Sequence, residues 1–175
     1  AITAAGADRI SITDTVGIMT PAAMYSAVKE VRAETDAGLD VHCHNDLGLA
    51  LANALAGVEA GADCIHATIN GAGERAGIPK IAEVAMALQV LYSQRKDIKV
   101  EKLARLSEIF SQLSGLPTDP FSPVVGQNVF RHKGGTHLAA VLKAGAAYEA
   151  FSPESIGRRR RLVVGGYSGR NILRY

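Results

Sequence analysis

The sequence predicts an α/β fold: the last three βα units of a larger parallel barrel, followed by a mostly helical arm. Three observations predict it. Ala5–Thr13 (AGADRISIT) is repeated as Ala60–Thr68 (AGADCIHAT), each copy a small-residue turn, an Asp and a short strand ending in polar side chains. Between the copies an apolar run from Gly38 ends in His42-Cys43-His44-Asn45-Asp46. The segments after these strands carry helical patterns, and strand–helix alternation implies parallel strands.

The elements follow in order. A strand begins near residue 8, and Thr20-Pro21 supplies an N-cap and a proline at the first helical position, opening a helix to about Thr35. A second strand begins near 39. In the helix after it, Leu47, Leu51, Leu55 and Val58 fall on one stripe, and Glu59-Ala60-Gly61 closes the helix. A third strand begins near 63, and Pro79 starts a third helix through Val84, Leu88 and Leu91. The pattern then changes. Glu101–Ser114 is an amphipathic helix carrying Leu103, Leu106, Phe110 and Leu113. Leu116–Pro123 is a proline-punctuated linker. Lys133-Gly134-Gly135 precedes a short helix from about Thr136 to Lys143, and Arg158–Arg161 is a charge run before Leu162-Val163-Val164. The boundary is placed near residue 98, with barrel units over 1–98 and the arm over 99–175. Three strands cannot close a barrel, and as an open sheet they leave edges unpaired. These 175 residues alone are therefore expected to be neither a stable monomer nor active.

Composition narrows the function classes. With 47% hydrophobic and 21% charged residues the chain is globular, not disordered. A net charge of +2 gives no case for nucleic-acid binding. No apolar run approaches the roughly 20 residues that span a bilayer, so no membrane association is expected. Ala1–Ala5 has neither the basic flank nor the apolar core of a signal peptide. Cys43 and Cys64 form no redox or metal motif with each other, as in a reducing compartment, and a cytoplasmic location is expected.

The chemistry concentrates at the strand ends. Residues i and i+2 of a strand share a face, so His42 and His44 project together and can hold one divalent metal as neutral imidazoles. Ser11, Thr13 and Thr15 form a polar row after the first strand, and His66, Thr68 and Asn70 form the matching row after the third. With Asp40 they make three neighbouring polar faces, where a buried parallel strand should be apolar. The alternative reading is that these groups satisfy one another in a barrel core. Asp14 alternates to the opposite face or caps the turn. Gly71–Gly77 (GAGERAG) is a glycine-rich loop that allows backbone close to a ligand, with Glu74 and Arg75 available to pair or to meet a charged substrate. In the arm, His132 reads as an ordinary surface histidine at a helix start. His137 depends on whether the arm reaches a site, Tyr148 has a half-buried core position as its alternative, and Arg158–Arg161 reads as a solvated face.

Four ordered motifs now carry a resemblance over nearly the whole chain: Asp14-Thr15-Val16-Gly17, His42–Asp46, Asn70–Gly77 and Phe130–His137. Together they resemble the isopropylmalate, homocitrate and citramalate synthases, metal-dependent acyltransferases on a (β/α)8 TIM barrel. The resemblance implies condensation of acetyl-CoA with a 2-oxo acid and thioester hydrolysis. It assigns His42 and His44 to a divalent metal (Mg, Mn or Zn), Thr15 to the substrate carboxylate, and Asn70, Gly73 and Glu74 to substrate or acyl-donor binding. It assigns acid/base work to His137 and Tyr148, reaching into the partner's barrel in a homodimer. The family's first strand, with its acidic metal ligand and catalytic Arg, has no counterpart in this sequence. The related hydroxymethylglutaryl-CoA lyase needs a Cys in the glycine-rich loop, and residues 71–77 contain none, which favours condensation over cleavage. His132–His137 and Ala76-Gly77-Ile78 look more like homocitrate synthases, so 2-oxoglutarate is the expected acceptor, with 2-isopropylmalate or citramalate synthesis as the alternative.

Overall fold

A computed structural model describes residues 5–93, 98–163, 165 and 166. The residues read above at Ala1–Ala4 and Val164 lie outside them. The chain forms two compact units, 1–84 and 85–175.

The first unit runs β1 (Arg9–Asp14), α1 (Pro21–Glu34), β2 (Gly38–Cys43), α2 (Ala50–Ala60), β3 (Cys64–Ile65) and the start of α3 (Ile81–Leu91). The sheet order is β1-β2-β3 and both pairings are parallel. The register sets Arg9, Ser11 and Thr13 opposite Gly38, Asp40 and His42, and Asp40 opposite Cys64. One face is apolar. Leu39, Val41 and Cys43 are fully buried there with Met24 and Val28 of α1 and Ala50, Ala54 and Ala60 of α2, and Ile10, Ile12 and Ile65 pack against them. The other face carries Arg9, Ser11, Thr13, Asp40, His42, Cys64 and His66, and Ser11 and Thr13 stay exposed.

Local signals explain the helix ends. The Thr20 hydroxyl accepts from Ala23 N–H, with Pro21 at the first position, as the sequence predicts. Gly61 ends α2 at φ 111° and donates back into its last turn. The leucine stripe of α2, however, is not the face laid on the sheet. Asn53, Ala54, Ala56 and Gly57 are buried, whereas Leu47 is 66% exposed. The reason is close approach: a Cβ on Gly57 would meet Val41 Cγ1 at 2.7 Å, so small residues set the helix–sheet distance.

The third strand is shorter than its sequence pattern. It ends at Ile65, although His66 N–H still donates to Val41 O at 3.0 Å. Thr68 then bridges to Lys80, and Ile69–Gly71 is a 3-10 turn with Asn70 at φ 56°. Asn70 is therefore not the end of a strand row; a left-handed residue breaks the two-residue alternation on which that expectation rested.

The second unit holds the rest of α3, a 3-10 turn over Val100–Lys102, α4 (Leu103–Ser114), β4 (Arg131–His132), α5 (Gly135–Lys143) and β5 (Arg161–Leu162). β4 and β5 pair in parallel. Gly115 closes α4 in the left-handed conformation. Leu103, Ala104 and Ser107 are the buried positions of α4, and Leu113 from the predicted stripe is 84% exposed.

Gly77 is the sharpest backbone requirement. It sits at φ 81°, and a Cβ there would lie 1.8 Å from Gly71 O. Gly77→Ala is expected to cost about 2–3 kcal/mol through strain and displacement of the loop, read as a lower denaturant midpoint with unchanged m-value.

Candidate functional site

The strand ends bring the first group of predicted residues together. His42 Nε2 and His44 Nε2 are 3.3 Å apart, and the rings meet edge to face. His44 is buried, and its Nδ1 has no hydrogen-bond partner among the described residues. Burial, with His44 and His66 beside it, lowers the His42 pKa and so favours the neutral ring that a metal requires. Two nitrogens each about 2.1 Å from one ion stand roughly 3.0–3.4 Å apart at ligand angles of about 90–110°. The observed pair fits that demand.

Asp14 both lies on the opposite face and caps its turn. It is 3% exposed, and its two oxygens accept from Ile18 N–H and Met19 N–H at 3.0 Å. Asn53 of α2 donates to Met19 O at 2.8 Å, tying the same turn to the helix layer. The neighbouring Cys43 thiol is pushed up to about 12 by burial and by Asp14, so it is a packing residue, not a nucleophile.

The glycine-rich loop is clamped over these ends. Arg75 donates to Asp46 through Nε at 2.7 Å and Nη2 at 3.0 Å, and to Thr15 O at 2.8 Å. One guanidinium thus joins the segments after β1, β2 and β3. Its hydrogen bond to Asp46 holds that carboxyl below the usual range. Arg75 pairs with Asp46, not with its neighbour Glu74, which is exposed. The Thr68 hydroxyl donates to Ala72 O at 2.6 Å, and Asn45 N–H donates to Gly77 O at 2.9 Å. Thr15, Gly73 and Glu74 all lie on this rim; Thr15 offers its carbonyl to the clamp.

Asp40 and His66, read in the sequence as parts of polar strand faces, meet Cys64 in a cluster that the sequence reading did not assemble. Asp40, Cys64 and His66 place ligand atoms within 4.8 Å of one another, a geometry capable of holding a cation. Arg9 already occupies the Asp40 carboxylate, donating from Nε at 2.9 and 3.2 Å, and this keeps the Asp40 pKa low. The signal was available: Cys64 stands two residues before His66, on the same face.

In the second unit, His137 and Tyr148 are brought together, their rings stacked with centroids 4.1 Å apart. Tyr148 is 48% exposed, so it is not a core residue. His132 is not a surface histidine. It is buried, with Nε2 3.0 Å from Glu149 Oε1. Arg160 donates to both Glu149 oxygens, at 2.8 and 2.7 Å. The arginine run is correspondingly not a uniform solvated face. Arg158 and Arg160 turn inward, Arg158 donating to Val125 O at 2.9 Å and pairing with Glu108 at 3.0 Å, while Arg159 and Arg161 stay exposed. Alternation along an extended segment sorts the charges, which a composition-based reading cannot do.

With this geometry in place, comparison with known proteins identifies the class. Residues 1–110 match the family model HMGL-like, and residues 124–175 match Homocitrate synthase post-HMGL domain-like. The chain belongs to the HMGL-like family. Among its relatives are a probable 2-isopropylmalate synthase of Methanopyrus kandleri (46% identical over 97% of this chain and 34% of the relative) and the homocitrate synthase AksA of the same organism (48%, 96% and 42%). A third is the (R)-citramalate synthase CimA of Methanocaldococcus jannaschii (43%, 97% and 35%). The chain thus spans about a third to two fifths of the length of these relatives. Among solved structures, an HMG-CoA lyase from Acenitobacter baumannii in complex with coenzyme A and 3-methylmalate is 26% identical, at a TM-score of 0.60 over 66% of this chain and 40% of that one.

Glu149 gives a stability prediction. Its pKa is lowered by the Arg160 hydrogen bond first and by His132 as well, despite burial. A depressed carboxyl stabilises above its unfolded pKa of about 4.3, and that contribution is lost as pH falls toward the folded value. Glu149→Gln is expected to cost about 2–3 kcal/mol at pH 7 and to flatten the acid-side loss, checked by denaturant midpoints at pH 7 and pH 4.

Proposed function

We propose that the chain is part of an acyltransferase that condenses acetyl-CoA with a 2-oxo acid, with 2-oxoglutarate as acceptor and homocitrate as product. The observation that carries this reading is the His42–His44 pair at the carboxyl end of a parallel strand, on a polar sheet face, beneath a clamped glycine-rich loop. Carboxyl-terminal strand ends are where barrel enzymes assemble their sites. In this reading β1, β2 and β3 with their helices are the last three units of a (β/α)8 barrel over residues 1–98, and residues 99–175 form the arm.

His42 and His44 would hold the divalent metal, which supplies Lewis-acid polarisation of the oxo acid's carbonyl when bound. Thr15 sits on the rim to receive the acceptor's carboxylate. Asn70, Gly73 and Glu74 line the loop at which the acyl donor enters, and the absence of a side chain at Gly73 leaves its backbone accessible there. Arg75 holds that loop down through Asp46 and so fixes where Glu74 stands. His137 and Tyr148 supply acid/base chemistry from the arm to the barrel of a second subunit, which makes the working unit a homodimer. Their stacking supports this pairing of roles, since each ring fixes the other's orientation. Relatives that carry isopropylmalate and citramalate names support the chemistry and leave the acceptor as the point to test.

The test is a thiol-release assay on the full-length protein with acetyl-CoA and 2-oxoglutarate, 3-methyl-2-oxobutanoate or pyruvate. Fastest release is expected with 2-oxoglutarate; faster release with another acceptor reassigns the substrate, and no release with any of them overturns the reading. In the same assay His137→Ala and Tyr148→Phe are each expected to lower kcat by about 100-fold or more.

A further inference from the structure

We propose that His66, backed by Asp40 and Arg9, is a positioning residue for His42, in a relay that runs from β1 across β2 to the residue that follows β3. The inference rests on His42 being a metal ligand and assigns the groups that orient it.

The relay is read atom by atom. Arg9, on β1, donates to both Asp40 oxygens from Nε and again from Nη2. Asp40, on β2, faces His66 with Oδ2 3.6 Å from Nε2. His66 Nδ1 lies 3.1 Å from His42 Nδ1. His42 Nε2 lies 3.3 Å from His44 Nε2. The two nitrogens of His42 are therefore divided: Nδ1 is taken by His66, and Nε2 faces the second candidate ligand.

This division has a consequence for proton placement. A ring nitrogen that binds metal carries no proton, so the proton of neutral His42 must sit on Nδ1 and needs an acceptor. His66 Nδ1 accepts only if the His66 proton is on Nε2, the atom facing Asp40. The Arg9 guanidinium keeps Asp40 a carboxylate able to receive it. The Asp40 charge favours the His66 tautomer with its proton on Nε2, that tautomer leaves Nδ1 to accept from His42, and the end of the line is a His42 Nε2 lone pair aimed beside His44. The competing use of Asp40 and His66, as cation ligands together with Cys64, sets an ion against a carboxylate whose charge Arg9 already balances. Outer groups of this kind are worth about 10–100-fold in metal affinity.

The experiment titrates Mn2+ into the metal-free full-length protein against a chromogenic chelator. His66→Ala is expected to weaken Mn2+ about 10–100-fold while one ion still binds. His66→Asn, whose amide oxygen takes the place of the Nδ1 acceptor, restores most of that affinity, and Cys64→Ser leaves it unchanged. Unchanged affinity in His66→Ala overturns the relay. A loss in Cys64→Ser equal to that in His66→Ala places the ion in the Asp40 cluster and overturns it too. If His42→Ala still binds Mn2+ with the parental affinity, it is the metal reading of His42 and His44 that falls. A measurement that needs no variant completes the test: long-range 15N–1H correlation spectra of the metal-free protein are expected to show His42 protonated on Nδ1, and protonation on Nε2 overturns the relay.

Discussion

Everything in the first unit depends on the two-sided alternation of β2. Leu39, Val41 and Cys43 point one way, and Asp40 and His42 point the other. The first set is fully buried against α1 and α2, so a register slip of one residue would drive two histidines and an aspartate into that core and leave the apolar set outside. Burial of one face thereby fixes the orientation of the other. The polar face is not merely tolerated; it is specified by the packing behind it.

The same constraint organises the rim. Because the strands are parallel and in register, the segments after β1, β2 and β3 emerge side by side, close enough for Arg75 to reach Thr15 O and Asp46 at once. The loop conformation that presents Arg75 depends on Gly77, whose α-hydrogen faces Gly71 O where no side chain fits. Positive φ at Asn70, Gly71, Arg75 and Gly77 concentrates conformational cost in this one stretch. Strain of that kind accompanies sites that must hold backbone close to a ligand, in line with the role proposed for the loop.

The second unit follows a different logic. Beside its short β4–β5 pair stands a His132–Glu149–Arg160 group, in which the His132 and Glu149 side chains are buried and Arg160 is partly exposed. Alongside the unit's buried apolar residues, Phe130, Leu138, Val141 and Ile156, ionic partners link the segments around the two short strands. The His137–Tyr148 stack of the same unit stays exposed.

Much of this was legible in the sequence. Strand–helix alternation, the Thr20-Pro21 start, the Gly61 stop and the i, i+2 placement of His42 and His44 are local properties, set by capping chemistry and by strand parity, and the chain carries them without help. What only the tertiary structure decided are the meetings between distant segments. Asn70 lost its strand row because the chain turns through a left-handed residue to bridge Thr68 to Lys80. Small residues, not leucines, face the sheet on α2 because Val41 comes within contact of Gly57. His132, Arg158 and Arg160 are drawn inward by Glu149, Glu108 and Val125 O, and Arg75 chooses Asp46. Local sequence prescribes which face a side chain takes; the partner it finds there depends on a distance across the fold that no local pattern encodes.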